Sequence, residues 1–349
     1  MKLFACTSCG QTVYFDSIAC KGCGALLGFI PDALAMVALS TEGGAAAGPE
    51  RYLPCAHRSS GCNWLVNQRD GAHFCVSCRL NRTIPDLSAP GNVRLWQRLE
   101  GEKRRLIYSL LRLGLPFEEG PGGVAGLEFD FLSDSSPGGG GRVMTGHAGG
   151  LITLNIAEAD PVARERNRFE MNEPYRTILG HFRHESGHYF WDRLVRGSGW
   201  LAPFRELFGD ESADYAQALQ MHYQSGPAPD WRECHVSAYA SVHPWEDWAE
   251  TWSHYLHMVD TLETAWVYGL TLEPRHAGGE VLATEPAADP YEFTDFQSLI
   301  SQWMPLTVAL NSLSRSMGHE AVYPFALATP VIEKLGSVHR VVRGAPPDG

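Results

Sequence analysis

Apolar residues recur at helical spacing through VRLWQRLEGEKRRLIYSLLRLG, which predicts a helix beginning near Asn92 and stopping at Gly114. LEFDFL (127–132) and VMTGHAGGLITLNIA (143–157) alternate or carry β-branched runs and are expected to be strands of one sheet, joined through the turn-forming SPGGGG. Beyond Asp160-Pro161 the pattern returns to helical spacing. A helix is expected from Pro174 to Val195, with proline in its first turn and Gly197 just past its end. Further helices are expected from about Pro203 to Tyr223, from Pro244 to Tyr268 and from Phe296 to Met317. The first 90 residues show no such period and carry the glycine- and alanine-rich stretch STEGGAAAGPE, which suits a flexible linker. The expected organisation is α+β: a module over 1–40, a second over 51–88, and a large domain over 92–349 with a small sheet and the helices.

A chain of 349 residues is long enough for one sizeable core and a smaller appendage. The N-terminus lacks the marks of a secretory signal, and no apolar run is long enough to cross a bilayer, so a cytoplasmic protein with no membrane partner is expected. The formal net charge of -12 argues against broad attraction to nucleic acid or anionic membrane. The basic run Arg94, Arg98, Lys103, Arg104, Arg105 and Arg112 is interrupted by Glu100 and Glu102 and reads as a solvated helix face.

Eight of the nine cysteines precede residue 79 and fall in close pairs, which in a chain without an export signal reads as metal binding. Cys6-x2-Cys9 and Cys20-x2-Cys23 form two tight turns whose thiolates can converge on one tetrahedral zinc, as in a zinc ribbon. The second set, Cys55, Cys62, Cys75 and Cys78, has one regular turn and one irregular half, so four cysteines are favoured with His57 as the alternative ligand. Metal substitutes for a core that modules this small cannot build, and the modules are also candidates for recruiting a protein partner. Seven Lys or Arg against six Asp or Glu over residues 1–90 leave no phosphate-binding surface. Cys234 is assigned no role.

The sharpest chemical signal is HESGH. His184 and His188 are four residues apart on a predicted helix, so their imidazoles share a face and one metal, with Glu185 beside them to take a proton from water. In AYASVHPWEDWAETWSHYLH, Glu246 and Glu250 are likewise four apart, among Trp245, Trp248, Trp252 and Tyr255, which imply burial. Glu246 as third ligand and Glu250 as acceptor from a metal-bound histidine would complete a catalytic zinc site. Glu206, Asp210, Glu211 and Asp214 are the rival acidic residues and read as structural or surface charges.

These residues resemble those of the gluzincin metallopeptidases, in detail the anthrax lethal factor type, which carries HExGH and a tyrosine seven residues before the glutamate of an ExxAE motif. Tyr239, Glu246 and Glu250 stand at those positions. The resemblance implies that Tyr239 donates a hydrogen bond to the developing oxyanion. The cysteine modules, CRLNRTIPDL, HESGHYFWDRLV and HPWEDWAETW together also resemble the bacterial family described as putative zinc-binding metallopeptidases with N-terminal zinc ribbons. That implies a zincin-like fold, three zinc ions (one catalytic, two structural) and a peptide or protein substrate, with a strand such as LITLNIA at the sheet edge to pair with it. The competing readings are a zinc-ribbon adaptor whose peptidase-like domain binds peptides without cutting them, and a hydrolase of a small amide.

Overall fold

The computed structural model describes residues 2–120, 125–134, 143, 145–170, 177–276, 278–286 and 288–347. Two compact units divide the chain, residues 1–170 and 171–349. The first begins with short antiparallel pairs: β1 (Leu3–Ala5) with β2 (Thr12–Tyr14), β3 (Leu27–Ile30) with β4 (Ala35–Ala38), and the three-stranded sheet of β5 (Ala45–Ala47), β6 (Glu50–Pro54) and β7 (Leu65–Asn67). STEGGAAAGPE is therefore part of a hairpin and not a flexible linker: Ala45 to Ala47 pair with Tyr52 to Glu50. Nor are the two cysteine modules separate beads. Phe29 N–H donates to Asn63 O, and Asn63 Nδ2 donates to Phe15 O. Phe15, Phe29, Trp64 and Tyr108 meet edge-on or tilted with centroids 5.0 to 6.2 Å apart, the geometry their ring quadrupoles favour.

After β8 (Asn81–Thr83) comes α1 (Asn92–Arg112), the helix expected from the sequence. Its basic run is only in part a solvated face: Arg94 is exposed and Arg98, Arg105 and Arg112 are half-buried, but Lys103 and Arg104 enter the core. Lys103 is fully buried between the Phe129 and Phe131 rings and pairs with Glu100 one turn back at 2.8 Å, while Arg104 is buried against the same carboxylate. Burial opposes a charge on Arg104, but Cys62 and Glu100 more than restore it. The charges enter the core because Glu100 and the thiols meet them there, which charge patterning alone does not reveal.

β9 (Glu128–Leu132), β10 (Gly146–Ala148) and β11 (Leu151–Asn155) form one sheet with β8, in the order β10-β11-β9-β8. β11 runs parallel to β9 and antiparallel to β10. LITLNIA is thus an interior strand and not the sheet edge: Gly149-Gly150 folds residues 146–148 back upon it, so its backbone groups are spoken for. SPGGGG lies outside the described residues, and α2 (Pro161–Glu170) closes the unit.

The second unit is helical: α3 (Ile178–Leu194), α4 (Leu201–Phe208), α5 (Tyr215–Ser225), α6 (Trp231–Cys234), α7 (Pro244–Val267), α8 (Phe296–Ser316) and α9 (Thr329–Val342). The expected start of α3 at Pro174 lies outside the described residues; from Thr177, whose hydroxyl accepts from Gly180 N–H at 2.9 Å, the helix is capped and regular. The single helix expected over 203–223 is two. Gly209, with a φ of +103° that side-chain-bearing residues avoid, ends α4, and Asp214 caps α5 by accepting from Gln217 N–H.

Helices α3 and α7 pack together as the spine of the unit. Gly187 of HESGH allows it: a Cβ there would sit 2.8 Å from Ala249 Cα and 3.2 Å from Trp252 Cβ. Trp248 Nε1 donates to Gly187 O at 3.0 Å, Trp252 Nε1 donates to Ser186 Oγ at 3.1 Å, and Phe190 stacks on Trp252 at 4.8 Å. Trp248, Trp252 and Tyr255 are buried, as the aromatic density of the segment requires. Among the described residues no helix is long and apolar enough to cross a membrane.

Candidate metal centre

Three groups of side chains converge with metal-ligand chemistry among the described residues. In the first, Cys6, Cys9, Cys20 and Cys23, sulfurs approach at 3.8 Å (Cys6 to Cys23) and 3.6 Å (Cys9 to Cys20). In the second, Cys62 lies 3.7 Å from both Cys75 and Cys78, and Cys55 Sγ accepts from Cys75 N–H at 3.4 Å. Four sulfurs at the corners of a tetrahedron around zinc, with Zn–S bonds of about 2.3 Å, stand about 3.8 Å apart, so both clusters fit that ion. His57 packs instead against Phe74 and Trp96, at 4.6 and 5.1 Å between ring centroids, and stands outside the second cluster.

The third group is His184, His188 and Glu246, whose ligand atoms lie within 4.8 Å of one another. The α-helical rise sets both imidazoles of α3 on the side facing α7, and Glu246, in the first turn of α7 and capped from His243, faces them. Glu246 Oε2 is 2.9 Å from His184 Nε2 and 3.5 Å from His188 Nε2. His184 Nδ1 lies 2.6 Å from Glu250 Oε1, and since a carboxylate only accepts, Nδ1 carries the proton; against burial, Glu246 and Glu250 hold the ring's pKa well above its usual value without a metal, and a metal would take the neutral ring through the lone pair on Nε2. That lone pair then faces Glu246 Oε2, a buried oxygen that receives no hydrogen bond. Two acceptors at this distance need a proton or a metal cation between them, and with His188 as a third donor converging on the same point the set fits a divalent metal of the zinc class.

The surroundings fix the ligands. Glu250 takes a second hydrogen bond from Ser237 Oγ at 2.6 Å; burial opposes its charge, yet the His184 contact holds its carboxyl below the usual range. Trp245 lies over His188 with centroids 3.8 Å apart. Burial pushes the Glu185 carboxyl above its usual range, against the pull of His184 and His188. Tyr239, at the start of a 3-10 turn over Tyr239–Val242, sits 5.9 Å from the His184 ring. Burial, then Glu246 and Tyr215, push its phenol far up, so it stays protonated.

The HESGH and ExxAE residues named from the sequence thus meet in one place, and Tyr239 stands beside them. Glu206 is exposed, Glu211 pairs with Arg205 at 2.6 and 2.9 Å, and Asp214 is an N-cap. The α5 segment does reach the site, through a residue that the sequence reading passed over: Tyr215 OH donates to Glu246 Oε1 at 2.8 Å. No spacing marks Tyr215 or Ser237, since each reaches its carboxylate from another element across a turn.

Residues 92–341 match the family described as "Putative zinc-binding metallo-peptidase", and residues 3–89 match a zinc-ribbon domain. Uncharacterized proteins of Mycobacterium bovis and of two Mycobacterium tuberculosis strains are each 42% identical over 352 residues, an alignment covering all of this chain and 97% of each relative. No solved structure matches. With the family match spanning well over half of its length, and a His and Glu donor set inside that span, the chain belongs to the family of putative zinc-binding metallo-peptidases and carries an N-terminal zinc-ribbon domain.

Proposed function

We propose that the protein is a zinc-dependent peptidase of gluzincin type, with its catalytic machinery in HESGH and the helix from Pro244, and two structural zinc sites in modules over 1–40 and 51–88. Three zinc ions per chain follow, one at His184, His188 and Glu246 and one in each cysteine cluster. The observation that carries the reading is the pairing of His184 Nδ1 with Glu250, which leaves Nε2 turned toward Glu246 and His188. A zinc ion held by these three residues would supply Lewis acidity, lowering the pKa of water toward about 7 and polarising a peptide carbonyl.

The protein's own residues do the rest. Glu185, its carboxyl raised by burial, takes a proton from water and later delivers it to the leaving amine. Tyr239 remains a phenol and donates to the oxyanion as it forms. Glu250 and Ser237 hold the His184 ring in its orientation. Comparing newly formed protein N-termini in cells making the wild type or Glu185→Gln tests the proposal. The variant is expected to keep its zinc and fold while cleavage falls about 10²- to 10⁴-fold, the contribution of a general base. Identical sets of N-termini would remove peptide hydrolysis from the reading.

A further inference from the structure

Glu246 has two carboxylate oxygens, and they have different neighbours. Oε2 is turned to the two histidine nitrogens, whereas Oε1 accepts from Tyr215 OH at 2.8 Å. We infer that Tyr215 is a positioning residue for the third ligand, holding Oε1 away from the metal position so that Glu246 offers one oxygen only; this rests on the metallopeptidase reading and adds a residue to it.

The local structure is built for that task. Asp214 caps α5 and places Tyr215 first in the helix. The turn before it is tied to the start of α7, because His243 Nε2 bonds Ala213 O at 3.1 Å. The Tyr215 ring meets His243 and Trp245 edge-on, with centroids at 5.4 and 6.0 Å, so it is steered by the residues that lead into Glu246. A carboxylate turns readily about its last torsion, whose profile is broad. A phenol bonded to one oxygen removes that freedom, and the bond is strong because its acceptor is charged.

Tyr215→Phe removes the hydroxyl and keeps the ring, in a helix that has no buried residue. The test is Co²⁺ binding to protein whose cysteine clusters are loaded with zinc, measured by competition with a chelator and by the d–d absorption of the ion. Loss of an outer partner of a ligand is expected to weaken binding about 10- to 100-fold. The d–d spectrum should change as Glu246 gains its second oxygen, with the melting temperature of the protein lacking this third ion unaltered. Wild-type affinity and spectrum in the variant would overturn the inference. Weaker binding together with a lower melting temperature would assign Tyr215 to packing and overturn it as well. Glu246→Ala separates the two levels: if it binds Co²⁺ as the wild type does, the metal site itself is misassigned and the inference falls with it.

Discussion

The cysteine clusters of the first unit and the His184, His188 and Glu246 group of the second differ in what surrounds the ligands. Around the cysteines the elements are strands of three to five residues, and Cys9 and Cys23 stand exposed. Around the histidines are two long helices whose contact is filled by Gly187, Trp248, Trp252 and Phe190. Short strands bury little apolar surface each, so metal at the cysteine clusters would add to the ordering that Phe29, Ile30, Trp64 and Leu65 supply there. The α3 and α7 pair is ordered by packing, so a metal at its site would be held by a scaffold that exists without it. On the proposed reading, the first arrangement would use metal to reinforce structure, and the second would use structure to aim a metal. The two cysteine clusters also differ between themselves. All four thiols of the second are buried, with Arg104 and Glu100 close by, whereas two of the first face solvent.

The largest expected effect is that of removing metal. Structural tetrathiolate zinc contributes about 10 kcal/mol or more to the folding of small modules. A strong chelator at neutral pH should abolish amide-exchange protection over residues 3–89, the exposed first cluster yielding before the second, while residues 178–342 keep theirs. Equal loss in both units would erase the distinction drawn above.

A pH titration sharpens the helical side of the comparison. His254 lies in the core of the second unit, bonded through Nδ1 to Tyr323 OH at 2.7 Å, and burial pushes its pKa down to about 4 from an ordinary 6.5. The unfolded chain therefore binds the extra proton first. Its contribution is fully present above pH 6.5 and is lost as pH falls toward 4, by about 3 kcal/mol. Denaturant unfolding of the second unit at pH 7 and pH 4, for wild type and His254→Asn, should show this extra loss only in the wild type. Parallel losses would remove His254 as the cause.

The smallest effect concerns packing alone. Gly187→Ala alters no ligand, yet its Cβ would press on the Ala249 backbone, and overpacking of this kind costs about 1 to 3 kcal/mol. A lowered melting temperature for the second unit, with weaker Co²⁺ uptake at its site and unchanged zinc in the cysteine clusters, is expected. Unchanged melting would mean that the two helices do not set the site as described.

Local periodicity and spacing by themselves determined α1, α3, α7 and α8 to within a few residues, the family resemblance, and the cysteine sets that converge. These features are local: helical period, metal-ligand spacing and turn residues act over a few positions, so a linear string carries them. What only the tertiary structure decided depends on elements far apart in the chain. The LITLNIA strand reads as an edge until residues 146–148 fold back upon it, and Lys103 and Arg104 of α1 read as solvated until Glu100 and the thiols are seen around them. Tyr215 is the plainest instance. Placed by a helix break at Gly209 and a cap at Asp214 just before it, its hydroxyl reaches Glu246 across 31 positions, and the side-chain bond that joins them leaves no period in the sequence because it is made by neither element alone.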